Sequence, residues 1–145
     1  MKKLFFLTII LLTTVILFAQ EDNLIENYNN YLVGTWRLDT MEIKGAEIPP
    51  EYLPIIIEQY NKMKEKSRFI FDNDFKYTSI GTQSTKNGTW RISDDSRFIL
   101  VKIDGNENEE KSRIIKLSSD SLIMAPTNQN SSNSTIYLYK STNNE

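Results

Sequence analysis

The chain has 145 residues, 17 basic and 19 acidic, a net charge of −2, and neither histidine nor cysteine. One hydrophobic core fits that length. The missing residue types exclude imidazole general bases, thiol nucleophiles, disulfides and the usual zinc ligands, and the scattered, mildly acidic charge argues against nucleic acid as a partner.

Met1-Lys2-Lys3 opens the chain, and an apolar or hydroxyl-bearing run from Leu4 to Phe18 ends at Ala19-Gln20. Basic start, short apolar core and small residue form the layout of a secretory signal peptide. The run is shorter than the ~20 residues a spanning helix needs. Glu21-Asp22 follow it instead of a basic stop-transfer patch. Cleavage is expected after Ala19, which leaves 15 basic against 19 acidic residues, a net charge of −4. The alternative is an uncleaved N-terminal anchor. An exported chain, periplasmic or extracellular, with no transmembrane span after cleavage, is the expectation.

From Asn23 to Leu32, the positions of Leu24, Ile25, Tyr28 and Leu32 suggest a short helix that plugs one end of the fold. Gly34 to Ile43 then alternates, with Trp36, Leu38 and Thr40 on one face. Leu53, Ile56, Ile57, Tyr60 and Met63 repeat at helical spacing, which predicts a helix from about Glu51–Leu53 to Lys66, with Pro54 in its first turn. Its apolar stripe needs a surface to cover. A lid over a barrel end and a plain packing helix both satisfy that.

Short strand patterns follow: Arg68–Asp72, Phe75–Ile80, Gly88–Ser93, Arg97–Ile103, Lys111–Leu117, Ser121–Ala125 and Thr135–Lys140, separated by turn residues or polar loops. With Gly34–Ile43 they make eight strands, and nearly every link is short enough for a hairpin. The predicted fold is all-β: an eight-stranded antiparallel up-and-down barrel with one helix between strands 1 and 2. The expected organisation is a signal peptide over 1–19, an N-terminal segment over 20–33, the barrel domain over 34–140 and a tail over 141–145.

Alternation places an aromatic-rich set on one side. Trp36, Leu38, Phe69, Phe71, Phe75, Tyr77 and Trp90 are expected inside, from the first four strands. Phe98, Leu100, Leu122, Met124, Tyr137 and Tyr139 complete the interior from the last four. These thirteen positions are the candidate ligand-binding residues. They either pack solid or line a cavity for one small ligand. On this register Ile99, Val101 and Ile103 form an outward apolar strip that suits a protein partner, or that the helix covers.

Gly34-Thr35-Trp36-Arg37-Leu38 and Gly88-Thr89-Trp90-Arg91-Ile92 are near-copies. The first resembles the Gly-x-Trp signature of lipocalins. Together with the second copy, the pattern Ile115-Lys116-Leu117 … Leu122-Ile123-Met124 and the tyrosines of the last strand, the span from Leu32 to Lys140 resembles the lipocalin-like domains of exported bacterial proteins of the Bacteroidetes type. The resemblance implies the barrel and no particular ligand. The chain is shorter than the larger lipocalins, lacks cysteine and carries an added helix, which argues against a wide, open cup, and its many bulky inward residues point to a narrow or nearly filled interior.

Carboxylates remain as candidate chemistry. Asp104-Gly105-Asn106-Glu107-Asn108-Glu109-Glu110 starts like a calcium loop, but Glu109 stands where glycine is needed and Ile115 where the bidentate glutamate belongs. Asp72-Asn73-Asp74 and Asp94-Asp95 lie at turns, where aspartate and asparagine serve the backbone. No catalytic residue, metal or cofactor is therefore assigned. The expectation is an exported, non-catalytic binding protein for a small hydrophobic or amphipathic ligand. The alternative is a cell-envelope interaction module with a filled core and an envelope protein as partner.

Overall fold

The computed structural model describes residues 27–45, 47–127 and 133–141. The signal-peptide reading, its cleavage point and residues 20–26 lie outside the described residues, as do 128–132 and most of the tail. Eight antiparallel strands close into an up-and-down barrel: β1 (Gly34–Ile43), β2 (Arg68–Phe71), β3 (Lys76–Ile80), β4 (Thr85–Ile92), β5 (Phe98–Ile103), β6 (Glu110–Leu117), β7 (Ser121–Pro126) and β8 (Ser134–Lys140). Each pairs with its sequence neighbours, and β8 returns to β1. Closure leaves no free sheet edge in the barrel. The helix α1 (Leu53–Lys66) lies between β1 and β2, entered through a 3-10 turn at Pro50–Tyr52.

The turns explain the short links. Asp72 Oδ1 accepts the backbone N–H groups of Asp74 and Lys76, at 2.9 and 2.8 Å, and holds the β2–β3 turn. Asp95 Oδ1 accepts from the Ser93 hydroxyl at 2.6 Å and from the Arg97 N–H at 3.1 Å, and does the same for β4–β5. These carboxylates are committed to donors within their own turns, as turn chemistry favours.

One end of the barrel is sealed. Residues 27–32 are helical, Leu32 is fully buried, and Tyr28 packs against the core. The Trp36 indole N–H donates to the Leu32 carbonyl at 2.7 Å. The Trp90 indole N–H donates to the Asp72 carbonyl at 3.1 Å. Each buried indole thus has the partner its N–H requires. Phe71 packs edge-on to Trp90, centroids 5.7 Å apart at 87°, and Phe71 and Tyr77 lie 5.2 Å apart. Leu38, Ile92, Leu122 and Leu138 complete this packed floor.

The two Gly-x-Trp copies need glycine for different reasons. Gly34 has φ +138, and a Cβ there would stand 2.6 Å from the Lys140 Cε. The space is used by Lys140, whose ammonium donates to the Tyr31 carbonyl at 2.8 Å and lies 5.3 Å from the Trp36 ring centroid. At Gly88 a Cβ would run into the Lys102 carbonyl of the neighbouring strand, so β4 and β5 approach too closely for any side chain.

Several inward assignments are corrected. β5 is apolar in both phases, and the core takes Ile99, Val101 and Ile103 while Phe98 and Leu100 face outward. The outward strip expected at Ile99, Val101 and Ile103 is therefore absent from β5. Leu100 is nonetheless buried on the outer face between its cross-strand neighbours Arg91 and Lys111, whose aliphatic stems suit such cover. In β8, Leu138 pairs with Leu38 and Leu122 in the core, which turns Tyr137 and Tyr139 out. Phe75 sits in the β2–β3 turn at φ +59, outside strand alternation, and lies 48% exposed with its centroid 5.1 Å from Trp90. In β1 a bulge after Leu38 shifts the register, so Met41 and not Thr40 reaches the core.

The helix also departs from expectation. Tyr60 and Met63 are its only partly buried apolar residues; no residue of α1 is buried. Tyr60 donates its hydroxyl to the Asp39 carbonyl at 3.1 Å, and Lys64 pairs with the Asp39 carboxylate at 3.4 Å. Leu53, Ile55, Ile56 and Ile57 remain exposed. The stripe is helical in spacing, but among the described residues nothing covers Leu53, Ile56 and Ile57.

Candidate functional site

The strands reach the other end of the barrel as the C-termini of β1, β3, β5 and β7 and the N-termini of β2, β4, β6 and β8. Here the interior is not filled. A cup of about 310 Å³ opens above the packed floor. Phe71 and Ile99 lie deepest, since both are almost fully buried. Met41, Phe69, Val101, Met124, Pro126 and Ile136 form its apolar wall. Tyr77, Ser112 and Ser134 add hydroxyls, and Glu110 and Lys111 stand at the rim. A mostly apolar cavity with a few convergent polar groups is the usual form of a small-molecule site.

Register explains this lining. Ile99 faces Ser112 and Val101 faces Glu110 across the β5–β6 ladder. Ile43 faces Ser134 and Met41 faces Ile136 across β1–β8. Paired residues project to the same face of a sheet, so the small serines occupy inward positions that larger residues would fill. The hollow follows from these substitutions of size.

Tyr77 is the one titratable group deep in the cup wall. Burial pushes its phenol up to about 12, hydrogen bonding from Ser79 opposes the shift, and the Glu110 carboxylate adds to it. It is a neutral hydroxyl at physiological pH. A larger depression, about 490 Å³, lies along the β5–β6 hairpin from Gly105 to Lys111 and Thr127. Its wall is almost wholly polar hairpin, so it is a groove beneath a loop rather than an interior site. Among the described residues no cluster of three or more acidic groups is arranged for a metal ion.

A family model described as a lipocalin-like domain matches residues 32–124. The chain belongs to the lipocalin-like domain family. A DUF4847 family protein from Bacteroides vulgatus is similar in structure to this lipocalin-like chain, with a TM-score of 0.55 at 13% identity over 79% of this chain and 96% of that one. At that identity the likeness concerns the fold alone. No curated protein matches the chain.

In this lipocalin-like barrel the sequence-expected interior residues divide three ways. Phe69, Phe71, Tyr77 and Met124 line the cup. Trp36, Leu38, Trp90 and Leu122 belong to the floor beneath it. Phe75, Phe98, Leu100, Tyr137 and Tyr139 lie outside the core cluster. Sequence reasoning missed Met41, Ile99, Val101, Glu110, Lys111, Ser112, Pro126, Ser134 and Ile136. The available signal was β-branching: Ile99-x-Val101-x-Ile103 is a better strand-core phase than Phe98-x-Leu100.

Proposed function

We propose that this lipocalin-like domain is an exported binding protein that holds one small hydrophobic or amphipathic molecule in the cup and performs no chemistry on it. The observation that carries the reading is the cup itself: about 310 Å³, apolar-walled, above a sealed floor. That volume lies at the small end of ligand sites, roughly 300–1,000 Å³. Export is supported by the signal-like order of Met1 to Ala19. Among the described residues no helix is long and apolar enough to cross a membrane.

A fluorescent N-phenylnaphthylamine probe tests the cup. Its emission should rise on binding, and at a hundredfold excess over Kd it should stabilise the protein by about 2.7 kcal/mol. Val101→Trp fills the cup from its wall and should abolish both effects while the variant still unfolds cooperatively. Probe binding unaltered by Val101→Trp would remove the cup from consideration. Fractionation of the expressing cells tests export.

One observation favours a second reading, an envelope interaction module: the exposed Tyr52, Leu53, Ile55, Ile56 and Ile57 around the start of α1. The apolar surface for a partner would then be this helix, and not β5. The completely filled core of that reading does not fit the cup.

A further inference from the structure

We propose that the cup is charge-selective: it accepts an amphipath whose polar end is neutral or cationic and rejects a fatty carboxylate. The inference rests on the reading of the cup as a ligand site and names the ligand class.

Strand β6 supplies both charged residues of the rim, and the register sends them to opposite faces. Glu110 stands opposite Val101 and Ser112 opposite Ile99, and both partners belong to the core. Glu110 and Ser112 therefore point inward. Lys111 stands opposite the outward Leu100. Its ammonium lies 3.7 Å from the centroid of the outward Phe98 ring, a cation–π contact on the outer surface. Lys111 borders the cup, but its charge is held outside against Phe98. Among the described cup-lining residues, Glu110 is then the one acidic or basic side chain turned inward, and it forms none of the salt bridges among the described residues.

The neighbouring cations do not compensate it. Arg91 pairs with Glu109 at 3.0 Å, Lys64 with Asp39 at 3.4 Å and Lys62 with Glu58 at 2.6 Å. Lys102 donates to the Glu107 carbonyl. Lys86 pairs with Ser79 in the ladder but is exposed and does not line the cup. Asp104 and Glu107 add negative charge along the same hairpin, and residues 128–132, Asn-Gln-Asn-Ser-Ser in sequence, carry none.

A carboxylate entering this mouth meets the exposed Glu110 carboxylate at the rim, and among the described cup-lining residues no inward-facing cation offsets the repulsion of like charges. An ammonium gains from the same geometry. A neutral head group finds hydroxyls at Tyr77 and Ser112. The alkyl part lies against Phe71, Ile99 and Met124 below.

The test uses the full chain, the same naphthylamine probe, and three competitors of one chain length: dodecylamine, dodecanol and dodecanoate, each below its micelle concentration at neutral pH and low salt. Dodecylamine and dodecanol should displace the probe, and dodecanoate should need about tenfold more. Added salt should narrow the gap between amine and carboxylate. Glu110→Gln should bring dodecanoate to within about threefold of dodecanol and leave dodecanol unchanged, whereas Glu107→Gln, outside the cup, should leave the order intact. Equal displacement by dodecanoate and dodecylamine, or a gap indifferent to both salt and Glu110→Gln, overturns the selectivity alone. A probe that never binds overturns the cup as a site and the selectivity with it.

Discussion

Trp36 and Trp90 are served by similar five-residue segments but anchored by different partners, the carbonyls of Leu32 and Asp72. Gly34 makes room for the Lys140 side chain, and Gly88 for the backbone of β5. The near-copies are two local solutions to one problem: seating an indole in a barrel floor with its N–H satisfied. Burial lowers the Lys140 ammonium below the ordinary lysine range. The Tyr31 carbonyl and the Trp36 ring are what hold the charged form in place. Tyr77 carries the pH prediction of this scale. Burial pushes its folded phenol up to about 12, against 10.0 for an ordinary tyrosine. The unfolded chain therefore loses that proton first, and unfolding becomes easier as pH rises from 10 toward 12. Below pH 10 the contribution is fully present. Wild type should lose on the order of 2 kcal/mol across that window beyond what Tyr77→Phe loses, read by denaturant unfolding at each pH. Parallel stability curves for the two proteins would remove the burial argument.

At the scale of elements, α1 is joined to the barrel by its C-terminal half. Tyr60, Met63 and Lys64 make the contacts, and Ser67 closes the helix with its N–H on the Met63 carbonyl at 2.8 Å. The N-terminal half presents Ile57, 56% exposed, and its neighbours to solvent. Ile57→Asp should therefore change stability by less than about 0.5 kcal/mol, while Met63→Asp should cost about 1–3 kcal/mol. Urea titration separates them, and an Ile57→Asp penalty as large as that of Met63→Asp would show that something covers this face in solution. The helix was legible in the sequence because its apolar residues recur at helical spacing. What they cover was not, because spacing identifies a stripe and not its neighbour. The strands were legible for the same reason. Their facing was not legible in β5 and β8, where both phases are apolar or aromatic: Phe98 and Leu100 against Ile99 and Val101, Tyr137 and Tyr139 against Ile136 and Leu138. The bulge in β1 hid Met41, and one extra residue in a strand reverses every assignment beyond it.

For the whole molecule, the barrel divides into a packed half and a hollow half. The floor joins Trp36, Leu38, Trp90, Leu122 and Leu138, all nearly inaccessible. The mouth carries the cup, the hairpin tip at Gly105–Glu109 and α1. Local opening should follow that division, since regions with fewer buried contacts open at lower free energy. Amide exchange should be slowest at Trp36, Leu38, Leu122 and Leu138 and should approach the global unfolding limit there. It should be fastest from Gly105 to Glu109. Uniform exchange along β5 and β6, from tip to floor, would contradict a two-tier barrel. The cup was the part of the candidate site least visible in sequence. It arises from serines at 112 and 134 in positions whose inward phase only the register reveals.

The route by which the chain enters the barrel has a spatial consequence. Residues 27–32 approach through the closed base, by way of Leu32 and Tyr28, whereas the cup empties at the opposite pole. Anything fastened upstream of residue 27 is thus attached at the foot of a goblet. A tethered copy would hold its bowl away from the tether, and a fusion partner placed there would leave the opening unobstructed.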